Sequence, residues 1–347
     1  MRTVTFYFLA VWTVCLACAQ SQGRLLHLAF TGDIMMGTTF PSVQLPPQEG
    51  RQLFVDAAPL LQRADVAAGN LEGTLCDSGE THKKPSAVCY AFRTPTRYAP
   101  LLQQAGFDFL SMANNHANDF GAAGIESTRS CLDRMGIAYA GLLQTPDRVV
   151  VERDGVRYGF CAFGHNGYTL RHQDLDTVRQ IITSLVAESD VVIVSFHGGA
   201  EGSKQSRLPW GKEVFCGEDR GSLRQFAHFC IDAGADVVYG HGPHVVRAVE
   251  LYKEHFIAYS LGNFCTPYGM NLSGTLGYAP LLELTLQADG RFAEGQIHSF
   301  IQQKGIGPRI DTQHRAAREM RRLTQLDVPH TPLVIDEEGR IRRKGRR

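Results

Sequence analysis

The sequence has no excess of charge of either sign. Its 35 Lys and Arg are matched by 35 Asp and Glu over 347 residues. That balance removes the general attraction on which nucleic-acid binders rely, so nucleic acid is not expected as a partner. Beyond residue 19 there is no Cys-x-x-Cys pair, which excludes a zinc knuckle built on that spacing. No internal repeat and no long linker interrupts the chain. The composition is ordinary for a globular protein, 44% hydrophobic and 20% charged. The length suffices for one large domain or two small ones with ample core.

The two ends depart from this even character. Residues 1–23, "MRTVTFYFLAVWTVCLACAQSQG", place Arg2 before an apolar run and Ala17-Cys18-Ala19 after it. This is the layout of a signal peptide cleaved near residue 19, and it predicts export to the periplasm or cell envelope. A lipid-anchored form would use Cys18, although Leu16 sits one place too close for the usual bacterial lipoprotein pattern. The other end, "RIRRKGRR", carries six basic residues in eight and reads as a solvated tail. Nine cysteines occur, and seven follow the leader. Export permits disulfides, and a Cys76–Cys89 bridge would pin the polar segment between them. Cys131 and Cys161 lie in apolar runs and read as buried thiols.

Between the ends, short apolar runs alternate with helical spacing. Strands are expected at 25–30, 65–70, 107–112, 156–164, 190–196 and 235–240, and helices at 51–64, 97–106, 121–136, 174–189 and 220–234. From about residue 245 successive strands follow, then a helix at 312–326 and a short polar segment. The pattern predicts an α/β domain of layered sheets over 25–303 and a helix with a basic tail over 304–347.

Five of the apolar strands end on groups that bind metals or carry protons. "LAFTGD" ends on Asp33, and "VAAGNLEG" on Asn70 and Glu72. "FLSMANNH" supplies Asn114, Asn115 and His116, "VVIVSFHGG" supplies His197, and "VVYGHGPH" supplies His241 and His244. Ligands of α/β sheets bind beyond the carboxyl ends of the strands, so a shared sheet would gather these side chains into one crevice. Carboxylate, amide oxygen and imidazole together suit zinc, manganese, iron or cobalt. Asp119, three residues beyond His116, can orient its imidazole. Residues 198–221 form a charged loop, with Glu201 and Glu213, long enough to serve as a substrate lid; its Lys204, Arg207 or Arg220 could bind a polyanion, although solvated loop charge is the default reading.

The ordered motifs "FTGDIMMG", "GNLEGTL", "NNHANDFG", "SFHGGAEG", "GHGPHVVRAVE" and "YSLGNF" resemble the CapA family, named for poly-γ-glutamate capsule synthesis, within the calcineurin-like metallophosphoesterase superfamily. The resemblance covers about residues 25–267. It implies a four-layer α/β/β/α sandwich and a cleft for one or two divalent ions (Mn, Zn or Fe). Asp33, Asn115, His197, His241 and His244 match the superfamily's ligands, and His116 its phosphate-contacting histidine and general acid. Three departures stand out. Met35 occupies the place of a histidine, Asn70 and Glu72 stand where an aspartate is usual, and Gly242-Pro243 lengthen the terminal histidine pair. Asn70 and Glu72 enter the expected ligand set on that basis.

Two functions are compatible with the sequence. One is an exported metal-dependent hydrolase acting on a phosphoester or an anionic γ-glutamyl polymer, with His116 and Asp119 catalytic. The other is a non-catalytic capsule-assembly component that binds polyglutamate or its synthesis complex.

Overall fold

The computed structural model describes residues 23–81, 83 and 90–345. The leader and Cys89, and with it the expected bridge, lie outside the described residues. Cys131 and Cys161 are buried, free thiols.

The first half of the chain lays down four parallel strands: β1 (Leu25–Ile34), β2 (Val66–Leu71), β3 (Phe109–Ser111) and β4 (Ala138–Ala140). It then builds a second sheet from β5 (Val149–Arg153), β6 (Val156–Phe163), β7 (Val191–His197), β8 (Val237–His241), β9 (Val249–Tyr252) and β10 (His255–Ala258). Its order is β9-β10-β8-β7-β6-β5. The chain returns to the first sheet through β11 (Asn263–Cys265), β12 (Tyr278–Gln287), β13 (Phe292–Gln303), β14 (Gly307–Ile310), β15 (Leu333–Ile335) and β16 (Arg340–Arg343). That sheet runs β15-β16-β13-β12-β1-β2-β3-β4, with β11 also paired to β1 and β14 to β13.

Period-two patterning divides the two faces of each sheet. Leu26, Leu28 and Phe30 of β1 turn inward against the second sheet, whereas Ala29 joins a separate outer cluster. Across the interface Phe30 meets Tyr239 at 4.8 Å between ring centroids, and Phe109 stacks on Phe160 at 4.6 Å. Each buried aromatic of this kind contributes about 1.5–3 kcal/mol. Helices α1 (Ala99–Ala105) and α2 (Gly121–Met135) cover the first sheet through Leu102, Ile125 and Leu132. Helix α3 (Leu175–Glu188), capped by Asp174 accepting from the Thr177 amide, and helix α4 (Leu223–Ala233) cover the second. All seven residues of β7 are buried, as a strand covered on both faces requires. The result is the α/β/β/α sandwich.

Two segments differ from the sequence reading. Residues 51–64 form turns and a single helical turn, Ala58–Leu61. Pro59 lacks the amide that a continuous helix needs there, so the apolar spacing of Leu53, Phe54, Ala57 and Leu61 marks a packed face and not a long helix. The basic end is not a loose tail. β15 and β16 form a hairpin whose Ile341 and Arg340 pair with Gly295 and Gln296 of β13. Helix α5 (Arg315–Asp327) precedes it, and Thr324 and Thr331 accept hydrogen bonds from Val249 and Leu251 of β9, which closes that sheet edge.

Candidate metal centre

Strand register builds the site. Asp33 lies opposite Asn70 on one side and Asn263 on the other, so three polar residues form a row across the end of the first sheet. His241 lies opposite His197 in the second sheet. Beyond β8 the chain turns at Gly242, where φ is +116° and a Cβ would come within 2.3 Å of the Gly198 carbonyl oxygen. Only glycine fits there. His244 follows in a left-handed conformation at φ 59°. A non-glycine residue is uncommon there, and the conformation turns the His244 ring back toward Asp33.

The side chains converge. His241 Nδ1 is 3.3 Å from Asp33 Oδ1. His244 Nδ1 is 3.1 Å from Asp33 Oδ2, 3.1 Å from Asn263 Oδ1 and 3.7 Å from Glu72 Oε2. Ligand atoms of Asp33, Glu72 and His244 all lie within 4.8 Å of one another. His197 Nε2 reaches to 4.0 Å from Glu72 Oε1. Asn115 sits at the rim, donating from Nδ2 to Glu201 Oε1 at 3.4 Å.

Asn70 bridges two other residues of the site. Its Nδ2 donates to Asp33 Oδ1 at 2.8 Å, and its Oδ1 accepts from Asn114 Nδ2 at 3.0 Å. Both ends of the amide are engaged, so Asn70 fixes the Asp33 carboxylate while one lone pair of its Oδ1 stays free. Asn114 also donates to the Leu71 carbonyl and accepts from the His116 amide, which ties the strand ends together.

A second group adjoins the first. His116 Nδ1 is 2.9 Å from Asp119 Oδ2, an oxygen that also accepts from the Phe92 amide at 2.7 Å. Asp119 Oδ1 is 2.5 Å from Lys83 Nζ. Phe92 lies against the His116 ring at 4.4 Å. Asp119 therefore positions His116 and does not join the Asp33 group.

Electrostatics follow from burial and neighbours. Burial opposes ionisation of Asp33, but hydrogen bonds and charge from His241 and His244 outweigh it and hold the carboxyl far below its usual range. Burial, then repulsion from Asp33, drives Glu72 well up. Burial lowers His244, yet Glu72 and Asp33 raise it to about 10. Burial holds both His197 and His116 below the ordinary imidazole range. The 4.0 Å approach of Glu72 to His197 thus joins a carboxyl whose ionisation burial opposes and an imidazole whose protonation burial opposes.

The donor set fits a divalent cation. Both oxygens of Glu72, both ring nitrogens of His197, Nε2 of His241 and Asn115 Oδ1 are buried with no hydrogen-bond partner. Such orphaned groups cost about 1–3 kcal/mol each unless something satisfies them. A cation among Asp33, Glu72, Asn115, His197, His241 and His244 would satisfy the oxygens and one nitrogen of each imidazole, and neutral imidazole and carboxylate oxygen are its ordinary ligands.

Sequence reasoning missed two neighbours. His165, just beyond the end of β6, has a buried Nε2 lying 3.5 Å from Glu218 Oε2, and its ring centroid is 6.0 Å from that of His197. The strand-end pattern "CAFGH" could have disclosed it. Lys83 had no local signal, since only the fold brings its loop to Asp119. The 198–221 loop is fastened more firmly than an open flap. Arg247 forks onto Glu213 at 2.8 and 2.7 Å, and Arg207 binds Asp327 at 2.6 Å.

The layered sheets and strand-end cluster define a metallophosphoesterase-type fold. A phosphatase from Mycoplasma pneumoniae shares it at TM-score 0.51 and 11% identity, with 80% of this chain and 94% of that one covered. A Thermus thermophilus protein of unstated function gives TM-score 0.51 at 17% identity, covering 80% and 99%. The sequence profile of the bacterial capsule synthesis protein PGA_cap matches residues 27–268, and the chain belongs to that family. The PGA biosynthesis protein CapA of Bacillus subtilis is 29% identical over 71% of this chain and 64% of its own length. The capsule biosynthesis protein CapA of Bacillus anthracis is 28% identical over 72% and 61%. The matches thus span just over three fifths of those relatives.

Proposed function

We propose that the protein is an exported metal-dependent hydrolase with a phosphoesterase-type site, acting on a phosphoester or an anionic γ-glutamyl polymer in capsule metabolism. One observation carries this reading: the orphaned ligand atoms of Glu72, His197 and His241 surround Asp33 and His244 beside the His116–Asp119 pair. The leader-like residues 1–19 support export. A bound divalent ion, manganese, zinc or iron, supplies Lewis acidity and acidifies water toward neutral pH.

The chain's own residues do the rest. Asn70 and Asn114 hold the Asp33 carboxylate in one orientation. Asp119 engages His116 Nδ1 and favours the imidazolium that burial opposes, and in that form Nε2 is the nitrogen able to give a proton to a leaving oxygen. Lys83 neutralises the second oxygen of Asp119.

The test is turnover of bis(p-nitrophenyl) phosphate and of poly-γ-glutamate by the manganese-loaded protein. Turnover of either, reduced roughly 10²–10⁴-fold in His116→Ala with metal content unchanged, supports the proposal. A fully metallated protein inert toward both would leave the accessory role as the better account. Relatives from Mycobacterium tuberculosis carry the description probable polyglutamine synthesis accessory protein, which favours a binding role within a synthesis complex as the second reading.

A further inference from the structure

Glu201 occupies an unusual place. It projects from the fastened 198–221 loop over the centre, and its carboxylate is held by the site's own groups. Arg220 Nη1 binds Oε1 at 2.7 Å, and Asn115 Nδ2 approaches the same oxygen at 3.4 Å. Oε2 lies 3.8 Å from His244 Nε2. Arg220 is itself buried, only 5% exposed in its side chain, and its other arm reaches Glu218 at 3.0 Å. Its Nε has no partner, and neither has the buried Oδ1 of Asn115. A planar guanidinium with a free N–H beside a metal-type cluster is a fork suited to an oxyanion.

We infer that Arg220 is the residue that recognises the anionic group of the substrate, and that the Glu201 carboxylate fills this subsite until substrate displaces it. The inference rests on the metal-centre reading above and names the anion-binding side chain of that centre. The loop's anchors explain how the plug is held. Gly199 donates to the Arg220 carbonyl at 2.9 Å and Ala200 to Glu213 Oε2 at 3.0 Å, so the backbone leading into Glu201 is fixed and displacement of the plug would need only its side chain to turn. The subsite accepts an oxygen of a tetrahedral phosphate or of a carboxylate at Nη1 once Glu201 leaves, while Glu218 keeps Nη2 and holds the guanidinium in place.

The experiment is calorimetric titration of inorganic phosphate into the manganese-loaded protein, with metal content measured on the same samples. Glu201→Gln removes the internal competitor's charge but keeps its shape. It should bind phosphate about tenfold more tightly with metal content unchanged. Arg220→Lys keeps the charge but loses the fork, and should bind about tenfold more weakly. Unchanged or weaker binding by Glu201→Gln overturns the inference, as does loss of metal in that variant, which would make Glu201 a ligand. If Arg220→Lys does not fold, Glu201→Gln alone decides. Because the readout is binding, a protein without turnover that still shows both shifts refutes the hydrolase reading and keeps this one. A turning-over enzyme indifferent to Glu201→Gln does the reverse.

Discussion

Breaking the Arg247–Glu213 pair should cost more than removing it. Arg247 is fully buried and Glu213 is 6% exposed. Arg247 makes two contacts to the carboxylate at 2.8 and 2.7 Å, and a third bond runs from its Nε to the Gln205 carbonyl at 2.9 Å. Glu213 Oε2 additionally accepts from the Ala200 amide. Arg247→Met leaves a buried carboxylate with one amide for company, and Glu213→Leu leaves a buried guanidinium. Each should lose about 3–5 kcal/mol, the cost of stranding one charge of a buried pair. The double variant strands neither. It loses the bonds to Gln205 and Ala200, about 1 kcal/mol each, so its deficit should be about 2 kcal/mol against a sum of about 6–10 for the singles. Guanidinium unfolding at pH 7, followed by circular dichroism, reads all four proteins. Losses that simply add would refute the reasoning, and so would single variants within 0.5 kcal/mol of the parent. The same pair holds the loop bearing Glu201, so the single variants should also lose protection of the 198–221 amides from hydrogen exchange.

Two further outcomes follow from the same kind of argument. Hydrogen bonding from His298, working against partial burial and aided by Arg63, holds Glu283 down at about 2, below its ordinary 4.5. A depressed carboxyl stabilises the fold above the unfolded value and loses that contribution as pH falls from about 4.5 toward 2. Glu283→Gln should therefore be less stable by roughly 2 kcal/mol at pH 7, after allowance for solvent screening, with the gap closing near pH 2. A gap constant with pH would contradict it. Ile341→Ala should destabilise by about 2–5 kcal/mol, because Ile341 is fully buried where the final hairpin joins β13; a loss below 0.5 kcal/mol would mean the hairpin is dispensable.

The sequence made the strand ends legible because each apolar run stops abruptly on a ligand-type residue. Asp33, His197 and His241 needed no tertiary information to be noticed. Asn70 shows the limit of that reading. Its residue type suits a ligand, but only the register of β1, β2 and β3 reveals that Asp33 and Asn114 take both ends of its amide. Lys83 comes from a loop whose placement depends on long-range pairing and has no local pattern, and Arg220, noticed in the charged segment 198–221, is singled out from Lys204 and Arg207 only by its burial beside Glu201. The final hairpin was hidden for a different reason. Leu333, Ile335 and Ile341 alternate with exposed neighbours as strands do, but the arginines around Ile341 dominate the composition. At 51–64 the periodicity of the buried face was real, and Pro59 set the backbone.

The account rests on a divalent ion being held by residues of both sheets. Its most direct test is metal content by mass spectrometry of the purified mature protein after reloading with manganese or zinc, alongside His197→Ala and His241→Ala. Retention of about one or two ions per chain, lost in both variants while circular dichroism is unchanged, is the predicted result. A parent protein that binds no ion after reloading, or variants that keep the full complement, would contradict it.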